Sequence, residues 1–283
     1  MESKHAVIHL MGGLGNQLFQ IVFGLALQKR FGVQLYLDTS GFNCGQGSNP
    51  SKYFSSLYKN IQSYFRNSKH TLDYNEKVWS YYNVNKDIVE SFKSHDCIKC
   101  KGYWQSETHF PNMKAELRKL LNLEHPYMHI PKQIWIDNPR LHEVCTGAGA
   151  CLISVRRGDY LKHPHIHNPC GMTYYKQAMT YFPPGTVFFV MSDDLDWCRA
   201  QFSCCEGDFV FLDIRDDLTS FYVGMLFPNY IMSNSTFYWW MTYFSVCENP
   251  RILAPDKWIT LSGVSDQWIY RSDMIVLERP VEV

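Results

Sequence analysis

Two guanidiniums, a glycine and a carboxylate follow directly on an apolar run in Cys151-Leu152-Ile153-Ser154-Val155-Arg156-Arg157-Gly158-Asp159-Tyr160. A guanidinium carries a permanent charge and a planar fork of donors, which suits a phosphate or a carboxylate. Successive side chains of a strand point to opposite faces, so one arginine can meet an anionic ligand while the other anchors a loop or a second domain. In isolation the stretch also reads as an Arg–Asp ion pair closing a surface turn. Its company changes that reading. Ser192-Asp193-Asp194 follows the apolar run Val187 to Met191, and Ser233-Asn234-Ser235-Thr236 follows Tyr230-Ile231-Met232 and opens an aromatic helix at Phe237. The N–H groups at a helix start favour anions, and Asp194 is placed to cap the next helix. An edge that collects Arg156, Arg157, Asp159, Ser192, Asp193, Asn234, Ser235 and Thr236 is suited to a phosphorylated ligand.

A second set lies in the first half. Gly12-Gly13-Leu14-Gly15-Asn16-Gln17 follows the strand-like Ala6 to Met11 and precedes the apolar run Leu18 to Phe31. Glycines there let backbone approach a ligand, and Asn16 and Gln17 are neutral hydrogen bonders suited to a sugar, phosphate or base edge. Asn16 serves equally well as a plain N-cap. The spacing is not that of a nicotinamide-dinucleotide loop. Tyr103-Trp104-Gln105-Ser106-Glu107 sets an aromatic beside amide, hydroxyl and carboxylate groups, the composition of a sugar-binding surface and also of an ordinary strand end.

The elements that must position these groups alternate. A strand, glycine loop, helix and strand run from Ala6 to Asp38, and irregular Gly/Ser/Asn/Tyr-rich sequence occupies Asn43 to Ser68. A strand precedes Gly102, and a helix covers Met113 to Leu123. Pro126, Pro131, Pro139, Gly147 and Gly149 mark a boundary, giving an N-terminal α/β domain over 1–147 and a C-terminal domain over 148–283. In the latter, strands at Cys151–Val155, Val187–Met191, Phe209–Leu212 and Tyr230–Met232 alternate with helices, which predicts a parallel sheet covered on both faces.

Composition narrows the function. Lys+Arg and Asp+Glu are balanced at 27 each, with no basic run to meet a nucleic-acid backbone. The apolar N-terminal segment is far too short to span a bilayer, so no transmembrane segment and a cytoplasmic location are expected. The ten cysteines are scattered and read mostly as reduced core thiols. Cys97-Ile98-Lys99-Cys100 lacks the second pair that a zinc site needs, and His163, His165 and His167 recur in a proline-flanked loop without defining a site. Asn234-Ser235-Thr236 matches a glycosylation acceptor but sits where phosphate is expected, and Trp239 and Trp240 read as core.

Taken together, Gly12 to Gln20, Gly102 to Glu107, Arg156 to Tyr160, Phe189 to Asp194 and Ser233 to Trp240 resemble the α1,2-fucosyltransferases of glycosyltransferase family 11, in an order covering Val7 to about Trp258. The resemblance implies a GT-B-type α/β fold, two Rossmann-like domains with parallel sheets facing an interdomain cleft, with 1–147 the acceptor side and 148–283 the GDP-sugar-binding side. It implies an inverting, metal-independent transferase with no cofactor, moving L-fucose from GDP-β-L-fucose to the 2-hydroxyl of a galactosyl glycan. The partners are then a GDP-sugar and an oligosaccharide acceptor, with no nucleic acid. By the same analogy Arg156 holds the diphosphate and Asp159 positions nearby groups, with Arg157, Ser192, Asp193, Asn234, Ser235, Thr236 and the backbone of Phe237 completing the donor site. Gly13, Gly15, Asn16 and Gln17 reach the donor or acceptor, and Trp104, Gln105 and Ser106 are the acceptor candidates. Glu107, Asp159 and Asp193 are the candidate bases, with no choice among them. The family has a histidine two residues before the first arginine, where this chain has Ser154. Another GDP-deoxyhexose as donor, another fucosyl linkage, and a catalytically silent glycan- or GDP-binding module are the rival readings.

Overall fold

A computed structural model describes residues 4–44, 47–66, 70, 72–76, 84–146, 149–261 and 264–279. It divides into two compact units, Met1–Glu124 with Val264–Ile269, and His125–Gly263 with Tyr270–Val283. Each is built on a parallel sheet, so the expected α/β class with two Rossmann-like units is present. The boundary expected at 147/148 lies outside the described residues. By packing, the division falls earlier: Arg140 forks onto Asp208 at 2.7 and 2.6 Å, and His129 stacks on Tyr222 at 4.8 Å, tying this proline-punctuated stretch to the second unit.

The first unit contains β1 (His5–His9), α1 (Leu14–Phe31), β2 (Gln34–Asp38), β3 (Leu72–Asn75), α2 (Val84–Ser94), β4 (Cys97–Lys101) and α3 (Lys114–Leu120). The strands are ordered β2-β1-β4-β3, all parallel. β3 falls in a stretch whose mixed sequence gave no clear strand signal. α1 is buried almost all round, as its unbroken apolar run dictates, and ends at Gly32 in the left-handed conformation. It lies so close to the sheet that a Cβ on Gly24 would come within 2.7 Å of both Ile8 Cγ1 and Leu35 Cδ1. Gly24→Ala is therefore expected to destabilise the protein. Overpacking costs about 1–3 kcal/mol, which outweighs the roughly 1 kcal/mol that alanine returns through helix propensity. A lower urea midpoint is the result to look for, and an unchanged or higher one would mean that the sheet yields.

The second unit contains α4 (Lys132–Asp137), α5 (Leu141–Thr146), β5 (Ala150–Val155), α6 (Pro164–His167), α7 (Met172–Met179), β6 (Val187–Ser192), α8 (Leu195–Phe202), β7 (Asp208–Phe211), α9 (Asp217–Gly224), β8 (Asn229–Ile231), α10 (Thr236–Tyr243), β9 (Arg251–Pro255) and β10 (Met274–Leu277). Its six parallel strands run β10-β9-β8-β5-β6-β7. β5, β6 and β7 count outward one way and β8, β9 and β10 the other, so the order reverses between β5 and β8. Such switch points are where open α/β sheets bind ligands, beyond the carboxyl ends of the strands.

Alternating residues of β5, namely Cys151, Ile153 and Val155, pack with Tyr174 and Tyr175 of α7. Three buried tyrosine hydroxyls then fix the carboxyl ends of the strands. Tyr175 donates to the Ser154 carbonyl at 3.2 Å, Tyr174 to Met232 at 2.7 Å, and Tyr238 to Val155 and Met191 at 3.4 and 3.3 Å. Trp239 and Trp240 are fully buried, as expected. Arg271 holds α10 in place, stacked 4.6 Å over Trp239 and bonded to Thr242 and Asp273.

Candidate functional site

At the β5/β8 switch point the two arginines part. Arg156 turns toward the crevice, with Nη2 2.6 Å from Asp159 Oδ1 and Nη1 3.1 Å from Asp193 Oδ2. Burial opposes its charge, but Asp193 and Asp159 outweigh burial and raise its pKa. Arg157 is the anchor. Its Nε donates to Asp194 at 3.0 Å, its guanidinium lies 3.9 Å over the Trp197 ring, and its backbone N–H donates to Asp193 Oδ1 at 2.9 Å. Asp194 also caps α8, accepting from the Trp197 N–H at 3.2 Å. Gly158 is required by close approach: a Cβ there would stand 2.5 Å from Asp193 Oδ2, displacing the carboxylate that holds Arg156.

Ser154, at the family's histidine position, is buried, and its Oγ accepts the Ser233 N–H at 3.1 Å. It ties β5 to the turn after β8, a structural task unrelated to an imidazole. Asn234 was expected among the donor contacts and is instead part of the framework. It is fully buried, and its amide donates to the carbonyls of His167 and, at 3.0 Å, Trp258. The same burial removes it as a glycosylation acceptor. Tyr160 stacks on His167 at 4.2 Å and donates to the Asn234 carbonyl at 2.9 Å, closing the loop after Arg156.

Ser235 is the N-cap of α10 in extended conformation, with no side-chain cap bond. Arg156, Ser192, Asp193, Ser235 and Phe237 line one cavity of about 440 Å³ together with Asp213, Asp217 and Ser220. The last three were not foreseen as site residues. Asp213 reads in the sequence only as a strand end, and Asp217 only as part of a helix expected from Asp216 to Phe227, and nothing local says which carboxylates a cavity will gather. Thr236 begins α10 just after Ser235.

In the first unit, Gly13 is the N-cap of α1, so Asn16 lies within the helix and not at its cap. Asn16 accepts from the Gln105 amide at 3.0 Å. This bond spans β1 and β4, where this sheet's strand order reverses. Gly12 has φ +79° and Gly15 is buried. Gln17, an expected ligand contact, is fully buried and donates to the carbonyls of Gly12 and Ser48 at 3.0 and 2.6 Å. It closes the glycine loop. Trp104, an expected acceptor platform, is also fully buried, stacked 4.2 Å from Phe23 at 8°, and has no face for a sugar. Ser106 is buried and caps the turn Glu107–His109 through the Thr108 N–H. Gln105 and Glu107 remain partly accessible.

Glu76 was not anticipated. Its carboxylate accepts the Tyr103 and Trp104 N–H groups at 2.7 and 3.2 Å, and burial raises its pKa against those bonds. It holds Trp104 at φ +55°, a costly conformation for a bulky residue. Burial pushes the Cys100 thiol up to about 12, which keeps it protonated and poorly nucleophilic at neutral pH. Among the described residues, no three His, Cys, Asp or Glu side chains are grouped to hold a metal ion, and no helix is long and apolar enough to cross a membrane.

The chain is similar to an α-1,2-colitosyltransferase of Escherichia coli, with 26% identity covering 89% of this chain and 91% of that protein. It is similar to a galactoside α-(1,2)-fucosyltransferase 2 of Oryctolagus cuniculus, with 25% identity covering 72% of this chain and 56% of that protein. Among solved structures, the α-1,6-fucosyltransferase NodZ soaked with GDP-fucose superposes with a TM-score of 0.49 at 12% identity, covering 86% of this chain and 93% of the other. The model of glycosyl transferase family 11 matches residues 65–276, about three quarters of the sequence, and the chain belongs to that family.

Proposed function

We propose that this family 11 glycosyltransferase moves L-fucose from GDP-β-L-fucose to the 2-hydroxyl of a galactosyl glycan, with inversion and without a metal ion. The observation that carries the reading is Arg156, held by two carboxylates at the mouth of a switch-point cavity whose wall includes the start of α10. A cavity of about 440 Å³ lies within the common range for small-ligand sites.

As the bond from sugar C1 to the phosphate oxygen breaks, positive charge spreads over the ring and negative charge collects on the departing diphosphate. Arg156 meets that charge with fixed donors, and Ser235 and the Phe237 N–H add to it from the start of α10. Asp159 and Asp193 hold the guanidinium in place before the donor arrives, so little reorganisation is needed. The acceptor oxygen attacks C1 on the face opposite the leaving group, which inverts the centre. The α1,2 linkage is supported by the names of two relatives. The first of these, a colitosyltransferase, favours a second reading in which another GDP-deoxyhexose is the donor.

The test is turnover of a panel of GDP-sugars with galactosides, with and without EDTA, followed by linkage analysis. The expected product is an α1,2-fucosyl galactoside formed at an EDTA-independent rate. Loss of turnover on chelation rejects the metal-free mechanism. Turnover of a different GDP-deoxyhexose alone reassigns the donor. Glycan binding without turnover and without Arg156-dependent GDP affinity leaves a silent binding module.

A further inference from the structure

The cavity that holds Arg156 carries more negative charge than an anionic ligand favours: Asp193, Asp213 and Asp217 all line it. Like charges across a binding site cost affinity, so each carboxylate there calls for a use that offsets the repulsion. Asp193 has one, since it holds Arg156 Nη1 at 3.1 Å. Nearby carboxylates outside the lining are occupied too. Asp194 caps α8 and binds Arg157, and Asp216 caps α9 by accepting the Thr219 N–H and hydroxyl, both at 2.8 Å. Asp213 differs. Among the described residues its one partner is Arg215, whose Nε stands 3.8 Å from Oδ1, too long for a hydrogen bond, and the two side chains are 62% and 93% exposed. Register fixes where Asp213 stands. β5 pairs Val155 with Ser192 of β6, and β6 pairs Val190 with Phe211 of β7, so Asp213 lies just past the carboxyl end of the strand two places from β5. Two strand spacings are roughly 10 Å. Arg156 and Asp213 thus line one cavity from strand ends separated by about the reach of a nucleotide, from its phosphates across the ribose to its base.

We propose that Asp213 reads the base of the donor nucleotide and selects guanine, an inference that rests on the GDP-sugar reading above. An ionised carboxylate accepts at both oxygens. Guanine offers it N1–H and the 2-amino group side by side, so two charge-assisted hydrogen bonds form as a fork. Adenine and cytosine set a ring acceptor beside their amino group, and uracil flanks N3–H with two carbonyl oxygens. Each of these turns a lone pair toward the carboxylate, so the side chain that admits guanine rejects the other bases. The paired hydrogen bonds also give Asp213 the use that offsets its repulsion of the diphosphate, which Arg156 meets from β5.

The experiment is calorimetry with GDP, IDP, XDP, ADP and UDP on wild type, Asp213→Asn and Asp217→Asn, with thermal melts as the folding control. IDP lacks the 2-amino group of GDP, and XDP carries a carbonyl oxygen in its place. Wild type should bind GDP about tenfold more tightly than IDP, the low end for one charge-assisted hydrogen bond, and XDP more weakly still. An asparagine presents one acceptor and one donor, which match the N1–H and 2-carbonyl of xanthine. Asp213→Asn should therefore lose about tenfold or more in GDP affinity and bind XDP more tightly than GDP, a reversal that a loosened fold does not produce. Asp217→Asn should keep the wild-type order. A folded Asp213→Asn that still prefers GDP to XDP, or a reversal found in Asp217→Asn instead, overturns the proposal. A wild type that binds ADP or UDP as tightly as GDP is a different failure: it overturns the GDP-sugar reading and this inference with it.

Discussion

Arg156→Ala is expected to lower kcat by about 10²–10³, the usual cost of removing one preorganised donor from developing negative charge, about 3–4 kcal/mol in the barrier. Arg156 is the cationic side chain that bridges Asp159 and Asp193 at the cavity mouth, so alanine leaves two carboxylates facing an anionic donor. GDP affinity should drop at least tenfold, about 1.4 kcal/mol. Arg156→Lys should recover only part of the loss, because an ammonium lacks the planar fork that meets two oxygens together. Arg157→Ala is the contrasting variant. Its guanidinium is spent on Asp194 and the Trp197 ring, so it should lower the melting temperature and leave GDP affinity near wild type. Initial rates and calorimetry on the three variants decide the matter. If Arg157→Ala lost GDP and Arg156→Ala kept it, the assignment of the two side chains would be reversed.

Asp38→Ala is expected to cost about 3–5 kcal/mol of stability, because it leaves Lys99, at 13% side-chain exposure, without its counter-ion and strips Ser40 and His9 of their shared acceptor. The pH dependence has a definite sign. The His9 hydrogen bond, joined by those from Lys99 and Ser40, holds Asp38 far below the ordinary carboxylate range, against the opposing effect of burial. A carboxylate whose folded pKa is depressed contributes stability that is complete above its unfolded value of about 3.9 and is lost as pH falls below it. The gap between wild type and Asp38→Ala in urea melts should thus be constant near neutral pH and narrow below about pH 4. A gap that widens in acid would place the stabilising proton on the wrong state. Asp38→Asn keeps an acceptor for Ser40 and should lose less.

Some of this was legible before any fold was known. Asp194 caps its helix because an aspartate three residues before an amide N–H needs no information from elsewhere in the chain. Arg156 to Asp159 fall at a strand's carboxyl end because the preceding run is apolar enough to be buried. The misreadings share a cause. Gln17, Asn234 and Trp104 have the side chains of ligand contacts, and each is consumed inside the protein by carbonyls or a ring brought from 5 to 81 positions away.

By itself, then, the sequence determined the parallel α/β class, the strand ends that carry charge and the helix caps, since each depends on periodicity or on partners within a few residues. Only the tertiary structure decided which arginine faces the crevice, that Ser154 braces a turn, that Glu76 holds Trp104 in a left-handed conformation, and that His9, Asp38 and Lys99 meet across 90 positions. The reason is that a buried polar group must find a partner, and which partner is in reach is set by strand register between distant segments, which no local pattern encodes.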